Sequence, residues 1–237
     1  MSDFNTVYNA LCADPVNNAD MLALLRERQP KVVHASQKGV VLWFDDLLFV
    51  HPENQDGAMD LLPFAKPGPE VGFAVLHGHA LVEPFCSAYG YRTMMTCYNH
   101  LYRRREPPAY SLPQGAAIRP LTAADLPAVQ AHYRAVSDPA YLKERLEAGM
   151  FGVTIEGVLA GFIGTHTERS MGMLEVFSPY RRMGLAYALE AYLIARLMEQ
   201  GRMAFCQVVT DNLPSLRLQQ KLGLAAGNQP VTWLEPL

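Results

Sequence analysis

The residues best suited to chemistry lie in a short turn, Arg181-Arg182-Met183-Gly184-Leu185-Ala186, between a strand-like run and a helical one. The first backbone N–H groups of a helix have no intrahelical acceptor, and the positive end of the helix dipole adds to their effect. Gly184 and Ala186 are small, so a diphosphate can approach the backbone closely. The segment therefore predicts an anion site, although a helix start with a solvated arginine pair would have the same sequence.

Two carboxylates near this turn are candidates for proton transfer or substrate binding. Glu175 lies on the strand that leads into the turn, and strand alternation places it with Met173 on one face of the sheet. Glu168 lies between two strands beside His166, whose imidazole can accept a proton near neutral pH. The alternatives are a structural hydrogen-bond acceptor for Glu175 and a solvated turn for Glu168 and His166.

The elements that would position these residues alternate along the second half of the chain. Helical spacing and capping signals predict helices at Thr122–Ala135, Ala140–Glu147, Leu185–Gln200 and Leu213–Leu222. Apolar runs between turn residues predict strands at Ala116–Pro120, Phe151–Ile155, Val158–Thr165, Gly172–Phe177, Ala204–Val209 and Val231–Leu234. This order predicts a mixed α/β sheet with at least one strand–helix–strand crossover.

A proline-rich break divides the chain. Three prolines and a glycine fall between residues 105 and 115, where neither a helix nor a central strand can continue. We therefore expect a first domain at 1–110, a linker at 111–115 and a second domain at 116–237. The first half predicts helices at Asp3–Cys12, Asn18–Glu27, Asp56–Phe64 and Ala80–Tyr89, and strands at Lys31–Ala35, Gly39–Phe44, Leu47–His51, Gly72–Leu76 and Met94–Tyr102.

A pattern of strand, turn, helix and glycine occurs in both halves at a constant offset. His79 and Gly90 in the first half fall on Asn212 and Gly223 in the second. Either the first half is a degenerate copy of the second, or the two share only a common strand–turn–helix unit. His77 and His79 either line a cleft shared by the halves or are satisfied turn histidines.

Two spaced motifs in the second half resemble those of the GNAT superfamily of N-acetyltransferases. The family's acyl-CoA motif, Q/R-x-x-G-x-G/A, is matched by Arg181, Gly184 and Ala186. A second family motif, N-x-x-A/S-x-x-L-Y-x-x-x-G-F, is matched at Asn212, Ser215, Leu218 and Gly223. The opening segment from Ile118 to Asp125 is also similar to the family's start, so the resemblance covers residues 116–237.

The resemblance implies a fold, a cofactor and residue roles. The fold is α/β (an α+β mixed sheet), with a C-terminal GNAT domain after a smaller α/β domain interpreted as a degenerate GNAT-like copy. The cofactor is acetyl-CoA or another acyl-CoA, without a metal. The implied cofactor-binding residues are Val176, Phe177 and Ser178 for the pantetheine arm, Arg181, Arg182, Met183, Gly184, Leu185 and Ala186 for the pyrophosphate, and Asn212 and Ser215 for the opposite side of the arm. A backbone N–H near Phe177 would polarise the thioester carbonyl. The acidic turn at 52–57 would repel a diphosphate, so the first half would have lost this site.

The implied reaction moves an acetyl or other short acyl group to the primary amine of a small molecule or amino acid, by direct attack in a ternary complex. Glu175 and Glu168 are then the candidate general bases. Gln219 stands where many family members carry a tyrosine acid. One alternative is therefore a non-catalytic acyl-CoA-binding or scaffold protein, and another is a protein-lysine acetyltransferase. The layout of the two halves is also similar to that of the glycine N-acyltransferase-like branch.

Composition argues against several other classes of protein. Half of the residues are hydrophobic and 18% are charged, which predicts a folded core rather than disorder. The net charge of −3 gives no electrostatic footprint for nucleic acid. No apolar run reaches the length of a membrane span, and the four cysteines lack zinc-ligand spacing. We expect a cytoplasmic protein with a small amine as its partner and no nucleic-acid or membrane partner; a homodimer is compatible with the sequence.

Overall fold

The computed structural model describes residues 4–136 and 138–237. These residues form two compact units. The first comprises residues up to 101 together with 207–213 and 225–237, and the second comprises residues 102–206 and 214–224. The last strand of the chain thus belongs to the first unit, while the predicted division into domains 1–110 and 116–237 remains a prediction.

Helices and strands alternate through both units. The α-helices are α1 (Phe4–Leu11), α2 (Ala19–Glu27), α3 (Gln55–Leu61), α4 (Val82–Tyr89), α5 (Leu126–His132), α6 (Pro139–Glu147), α7 (Leu185–Glu199) and α8 (Leu213–Leu222). The strands are β1 (Lys31–Ser36), β2 (Gly39–Phe44), β3 (Leu47–Pro52), β4 (Phe73–His77), β5 (Tyr91–Leu101), β6 (Ala116–Pro120), β7 (Phe151–Ile155), β8 (Val158–Thr165), β9 (Met171–Val176), β10 (Phe205–Val209) and β11 (Ala225–Pro236). Short 3₁₀ turns lie at Leu62–Ala65, Ala123–Asp125 and Ser178–Tyr180.

The predicted elements all have counterparts in the structure. The largest difference is at the C-terminal end, where the strand predicted at Val231–Leu234 is the centre of the longer β11. Asp3, at the start of the first predicted helix, lies outside the described residues. The helix predicted from Thr122 begins instead as a 3₁₀ turn, with the predicted capping box between Thr122 and Asp125 in place.

The first unit contains a sheet with the strand order β1-β2-β3-β4-β11-β5-β10. β3 and β4 pair in parallel, from Leu47 opposite Phe73 to Val50 opposite Leu76. β11 lies between β4 and β5 and is antiparallel to both, so that Val231 faces His77 on one side and Cys97 on the other. One face of this sheet carries a core that includes Val50, Leu76 and Phe85.

The second unit contains the antiparallel sheet β6-β7-β8-β9. The predicted Glu156-Gly157 turn joins β7 to β8, and both of its residues have positive φ, at 48° and 80°, as a tight hairpin turn requires. One face of the sheet packs Phe162, Met173 and Phe177 against side chains of α5 and α6. This face lies beneath the helices that cover the candidate carboxylates.

The long helix α7 follows the edge strand β9. The predicted i, i+4 row is its buried side, since Leu185, Leu189, Leu193 and Leu197 are each at most 3% exposed. Gly201, just past the end of the helix, has a φ of 68°, which is the left-handed conformation that often terminates helices. The buried row fixes how the N-terminal turn of α7 meets β9, and this junction is the centre of the candidate site.

Candidate functional site

The junction between β9 and α7 presents backbone N–H groups to solvent. The loop at 181–184 is exposed, and Arg182 and Gly184 have φ values of 68° and 80°. Gly184 is the N-cap of α7, and no side chain caps the helix there. A Cβ added at Gly184 would meet no heavy atom within 4 Å. The first N–H groups of α7 therefore face open space, which is the arrangement that binds phosphates.

The open edge of β9 narrows the predicted contacts with the pantetheine arm to one residue. Phe177 donates its N–H to the carbonyl oxygen of Ala160 at 2.9 Å, and its own carbonyl accepts from Tyr180 at 2.8 Å. Ser178 lies in a 3₁₀ turn rather than in a strand. Because peptide groups alternate in an antiparallel pair, the N–H of Val176 points away from β8, toward the open edge. The strand-like pairing predicted for Phe177 and Ser178 is therefore not available in this structure, and Val176 is the remaining donor.

Arg181 turns back onto β9 instead of extending from the loop. Its Nε donates to the carbonyl oxygen of Val176 at 3.0 Å, and its Nη2 lies 3.1 Å from Oε1 of Glu175. Glu175 lies directly opposite the buried Phe162 and therefore on the face that carries Met173, as alternation predicted. Glu175 is thus an ion-paired, half-buried carboxylate rather than a free one.

A cluster of polar side chains lies on the same side of the second unit. Glu168 is 6% exposed and accepts a hydrogen bond from the Ser170 hydroxyl, so the interpretation of a solvated turn at Glu168 is wrong. The Tyr141 hydroxyl lies 2.7 Å from Nδ1 of His166. A Cβ at Gly172 would lie 2.4 Å from Nε2 of the same ring, so only glycine leaves room for it.

Two tyrosines of this cluster have strongly raised pKa values. Burial, and then the carboxylates of Glu168 and Glu175, raise the pKa of Tyr133 to about 12. Burial and the charge of Glu168 also raise the pKa of Tyr141. Both phenols therefore stay protonated at neutral pH. Sequence reasoning missed these tyrosines because they lie near the ends of α5 and α6, outside any motif.

Gln219, at the position of the family's tyrosine, is buried against a carboxylate. Gln219 and Glu190 are 2% and 3% exposed, and their side chains hydrogen bond to each other. Burial raises the pKa of Glu190 to about 7, although the hydrogen bond from Gln219 opposes this shift. Glu190 was missed because a single carboxylate on an apolar helix carries no spacing signal.

The two remaining predicted cofactor residues fall on either side of a unit boundary. Asn212 precedes α8 in the first unit, and its N–H donates to the carbonyl oxygen of Val209 at 3.0 Å. Ser215 lies in the part of α8 that belongs to the second unit. Their contacts with a cofactor remain a prediction.

The first unit lacks a comparable anion site at the start of α3. The side chain of Asn54 accepts from the N–H of Gly57 at 2.8 Å and so caps this helix. His77 is 1% exposed and lies 3.0 Å from Asp20, so it is a buried, satisfied histidine rather than a cleft residue. These features support the expectation that the first half has lost the cofactor site.

Searches for other kinds of site within residues 4–136 and 138–237 gave two negative findings. No group of three or more histidine, cysteine, aspartate or glutamate side chains there could hold a metal ion. No helix in the same ranges is both long and apolar enough to cross a membrane.

Comparisons with known proteins agree on one family. Residues 116–224 match the acetyltransferase (GNAT) family. A Drosophila protein solved by a structural genomics consortium has a TM-score of 0.74 at 16% identity, over 100% of this chain and 96% of its own. A GCN5-related N-acetyltransferase from Kribbella flavida has a TM-score of 0.59 at 15% identity, over 93% and 94% of the two chains. A tandem GNAT protein from the clavulanic acid biosynthesis pathway has a TM-score of 0.52 at 15% identity, over 97% and 94%. A search of curated proteins gives no match.

The fold is therefore that of a GNAT-type acyltransferase, and the segment at 116–224 belongs to the acetyltransferase (GNAT) family. The predicted resemblance and the mixed α/β fold class are both confirmed. Because solved GNAT structures match over nearly the whole chain, the first half is consistent with a second, GNAT-like copy. The family transfers acyl groups from acyl-CoA, and the uncapped loop before α7 fits such a cofactor.

Proposed function

We propose that the protein transfers an acetyl or other short acyl group from acyl-CoA to the primary amine of a small molecule or amino acid. The observation that carries this proposal is the exposed, uncapped N-terminus of α7, directly after an open-edged strand whose sheet also carries buried carboxylates. The N–H groups at 182–186 would hold the pyrophosphate. Val176 would donate its N–H to the thioester carbonyl, where negative charge develops during attack.

The carboxylates favour a cationic acceptor. A primary amine is mostly an ammonium ion at neutral pH, and Glu168 and Glu175 would attract it into the cluster. The ammonium must lose a proton before it can attack. Glu168 is the stronger candidate base, because Glu175 is already paired with Arg181. The Tyr141–His166 pair lies beside Glu168 and offers a route by which the proton can leave.

The leaving thiolate needs a proton that Gln219 does not supply, because an amide is not an acid at neutral pH. A bound acyl-CoA supplies an activated thioester, and its thiol is the leaving group. We assign the proton donor to Tyr133, which stays protonated and lies close to Glu168 and Glu175. This assignment replaces the tyrosine that the family carries on α8 with one near the end of α5.

The cofactor part of the proposal can be tested with two matched glycine variants. Gly184→Ala places a Cβ in the open space that a pyrophosphate would occupy, at a φ of 80°. Gly201→Ala introduces a similar strain at the other end of the same helix, at a φ of 68° and also with nothing within 4 Å. Both variants should lose about 1 kcal/mol of stability. Only Gly184→Ala should weaken acetyl-CoA binding in calorimetry, by about tenfold or more. Equal affinities for the two variants would remove the loop from the site.

The transfer step requires a separate measurement. Release of free CoA from acetyl-CoA should depend on an added amine, over a panel of amino acids, small polyamines and a lysine-containing peptide. Turnover with a small amine supports the proposal, and turnover with the peptide alone would favour protein-lysine acetylation instead.

A non-catalytic acyl-CoA-binding protein is the second candidate, favoured by the burial of Gln219 against Glu190. In that case acetyl-CoA would bind and no amine on the panel would release CoA. The weaker likeness to the glycine N-acyltransferase-like branch remains a prediction, and glycine belongs on the panel for that reason.

A further inference from the structure

A cleft of about 340 Å³ opens beside the first turn of α7, and nothing in the acyl-transfer proposal uses it. One wall is the irregular segment that follows β5, from Tyr102 to Ala109, and the other is formed by Tyr187 and Lys221. All of these residues belong to the second unit. The cleft therefore lies one residue beyond Ala186, where the loop predicted to hold the pyrophosphate ends.

Hydrogen bonds hold the walls of the cleft in place. The Tyr187 hydroxyl donates to the carbonyl oxygen of Ala109 at 3.3 Å, which attaches the segment to α7. The Tyr102 hydroxyl donates to the carbonyl oxygen of Glu106 at 2.6 Å and closes a turn within the segment. The cleft is thus bounded by side chains with fixed partners.

Two cations line the cleft against one carboxylate. The Nζ of Lys221 lies 5.1 Å from the centre of the Tyr187 ring, in a cation–π contact. The guanidinium of Arg104 packs over Gly223, where a Cβ would lie 2.5 Å from its Nη2. Glu106 is the acidic residue of the lining. The balance is positive, and aromatic rings lie beside the cations.

We propose that this cleft binds the 3′-phosphorylated adenosine end of the acyl-CoA. The inference rests on the proposed function, because it requires the pyrophosphate at 182–186. Only the ribose separates the pyrophosphate of CoA from its 3′-phosphate, and Tyr187 directly follows the pyrophosphate loop. Arg104 and Lys221 would then bind the 3′-phosphate through charge-assisted hydrogen bonds. The rings of Tyr187 and Tyr102 offer apolar surface to the adenine.

The inference has a consequence for the choice of acyl donor. A phosphopantetheine thioester on a carrier protein has the arm but lacks the adenosine 3′-phosphate. The cleft would therefore select free acyl-CoA over such a carrier. The basic run Arg103-Arg104-Arg105, which the sequence explains only as a solvated linker end, acquires a ligand through its central residue.

The test compares two donors that differ by one phosphate. Calorimetry should show that the wild-type protein binds acetyl-CoA about tenfold more tightly than acetyl-dephospho-CoA, which is the scale of one charged hydrogen-bonded contact. In the Arg104→Gln, Lys221→Gln double variant this difference should vanish, with the affinity for acetyl-dephospho-CoA within about twofold of wild type. Arg196→Gln, which removes an exposed cation from the far end of α7, should keep the full difference.

The outcomes separate the subsite from the proposed function. Equal wild-type affinities for the two donors would overturn the subsite and leave acyl-CoA binding intact. A double variant that loses affinity equally for both donors would also overturn it, because the cations would then act on a part that the donors share. If neither donor binds the wild-type protein, the proposed function itself fails. Each glutamine single variant should lose part of the difference, which keeps the test valid if the double variant folds poorly.

Discussion

Glu190→Gln should make the stability of the protein less dependent on pH. Burial raises the pKa of Glu190 from 4.5 to about 7 in the folded state. The unfolded carboxyl loses its proton near 4.5, so the folded state binds the proton more tightly. The wild-type protein therefore loses stability as the pH rises from about 4.5 to about 7, and it does not regain it at higher pH. Each pKa unit corresponds to about 1.4 kcal/mol, so the loss amounts to about 3 kcal/mol.

A glutamine at position 190 stays neutral throughout this range. It matches the size of glutamate, and its carbonyl oxygen can accept the hydrogen bond that Gln219 donates to the carboxylate. The variant should gain about 3 kcal/mol relative to wild type between pH 4.5 and pH 8. Urea unfolding at half-unit steps across this range measures the difference in the free energy of unfolding.

The control for this experiment is Glu199→Gln, on the last turn of the same helix. Glu199 is exposed and pairs with Arg196 at 2.6 Å. Its substitution should shift stability little and equally at all pH values between 5 and 8. The reasoning is refuted if the difference between Glu190→Gln and wild type stays flat across the range, because the carboxyl would then titrate at its ordinary pKa in the folded state.

Two further predictions concern other parts of the molecule. Tyr133→Phe should lower kcat by about a hundredfold with little change in KM, because general acid catalysis is worth about that much; Tyr98→Phe is the control, and an unchanged kcat would remove Tyr133 as the acid. Asp20→Asn should lower the free energy of unfolding by about 3 kcal/mol, because it leaves one partner of a buried pair with His77 uncompensated. Urea unfolding measures this loss against the exposed control Asp60→Asn, and a loss no larger than the control's would contradict it.

The sequence predicted well those features that depend on neighbours along the chain. The row from Leu185 to Leu197 is buried because apolar residues repeat at the helical period. The capping box at Thr122 and the turn at Glu156-Gly157 each depend on a few adjacent residues. The loop at 181–186 belongs with them, since a strand, a glycine and a helix start define it.

The features that escaped prediction bring together residues far apart in the sequence. Gln219 meets Glu190 across two helices, and Glu168 raises the pKa of Tyr133 and Tyr141 from another element. Neither contact leaves a periodic trace in the sequence. The loss of Phe177 as a backbone donor likewise depends on its pairing with Ala160 in the sheet register.

The position of β11 has a consequence for the order in which the protein is made. Residues 225–236 fill the space between β4 and β5, so both of these strands have an unpaired edge until that segment arrives. During synthesis, everything from 102 to 224 leaves the ribosome before this segment does. The nascent first unit must therefore wait with two sticky edges in an incomplete sheet. Its maturation is completed by the last stretch of chain to emerge, which makes the tail a timer for the folding of the head.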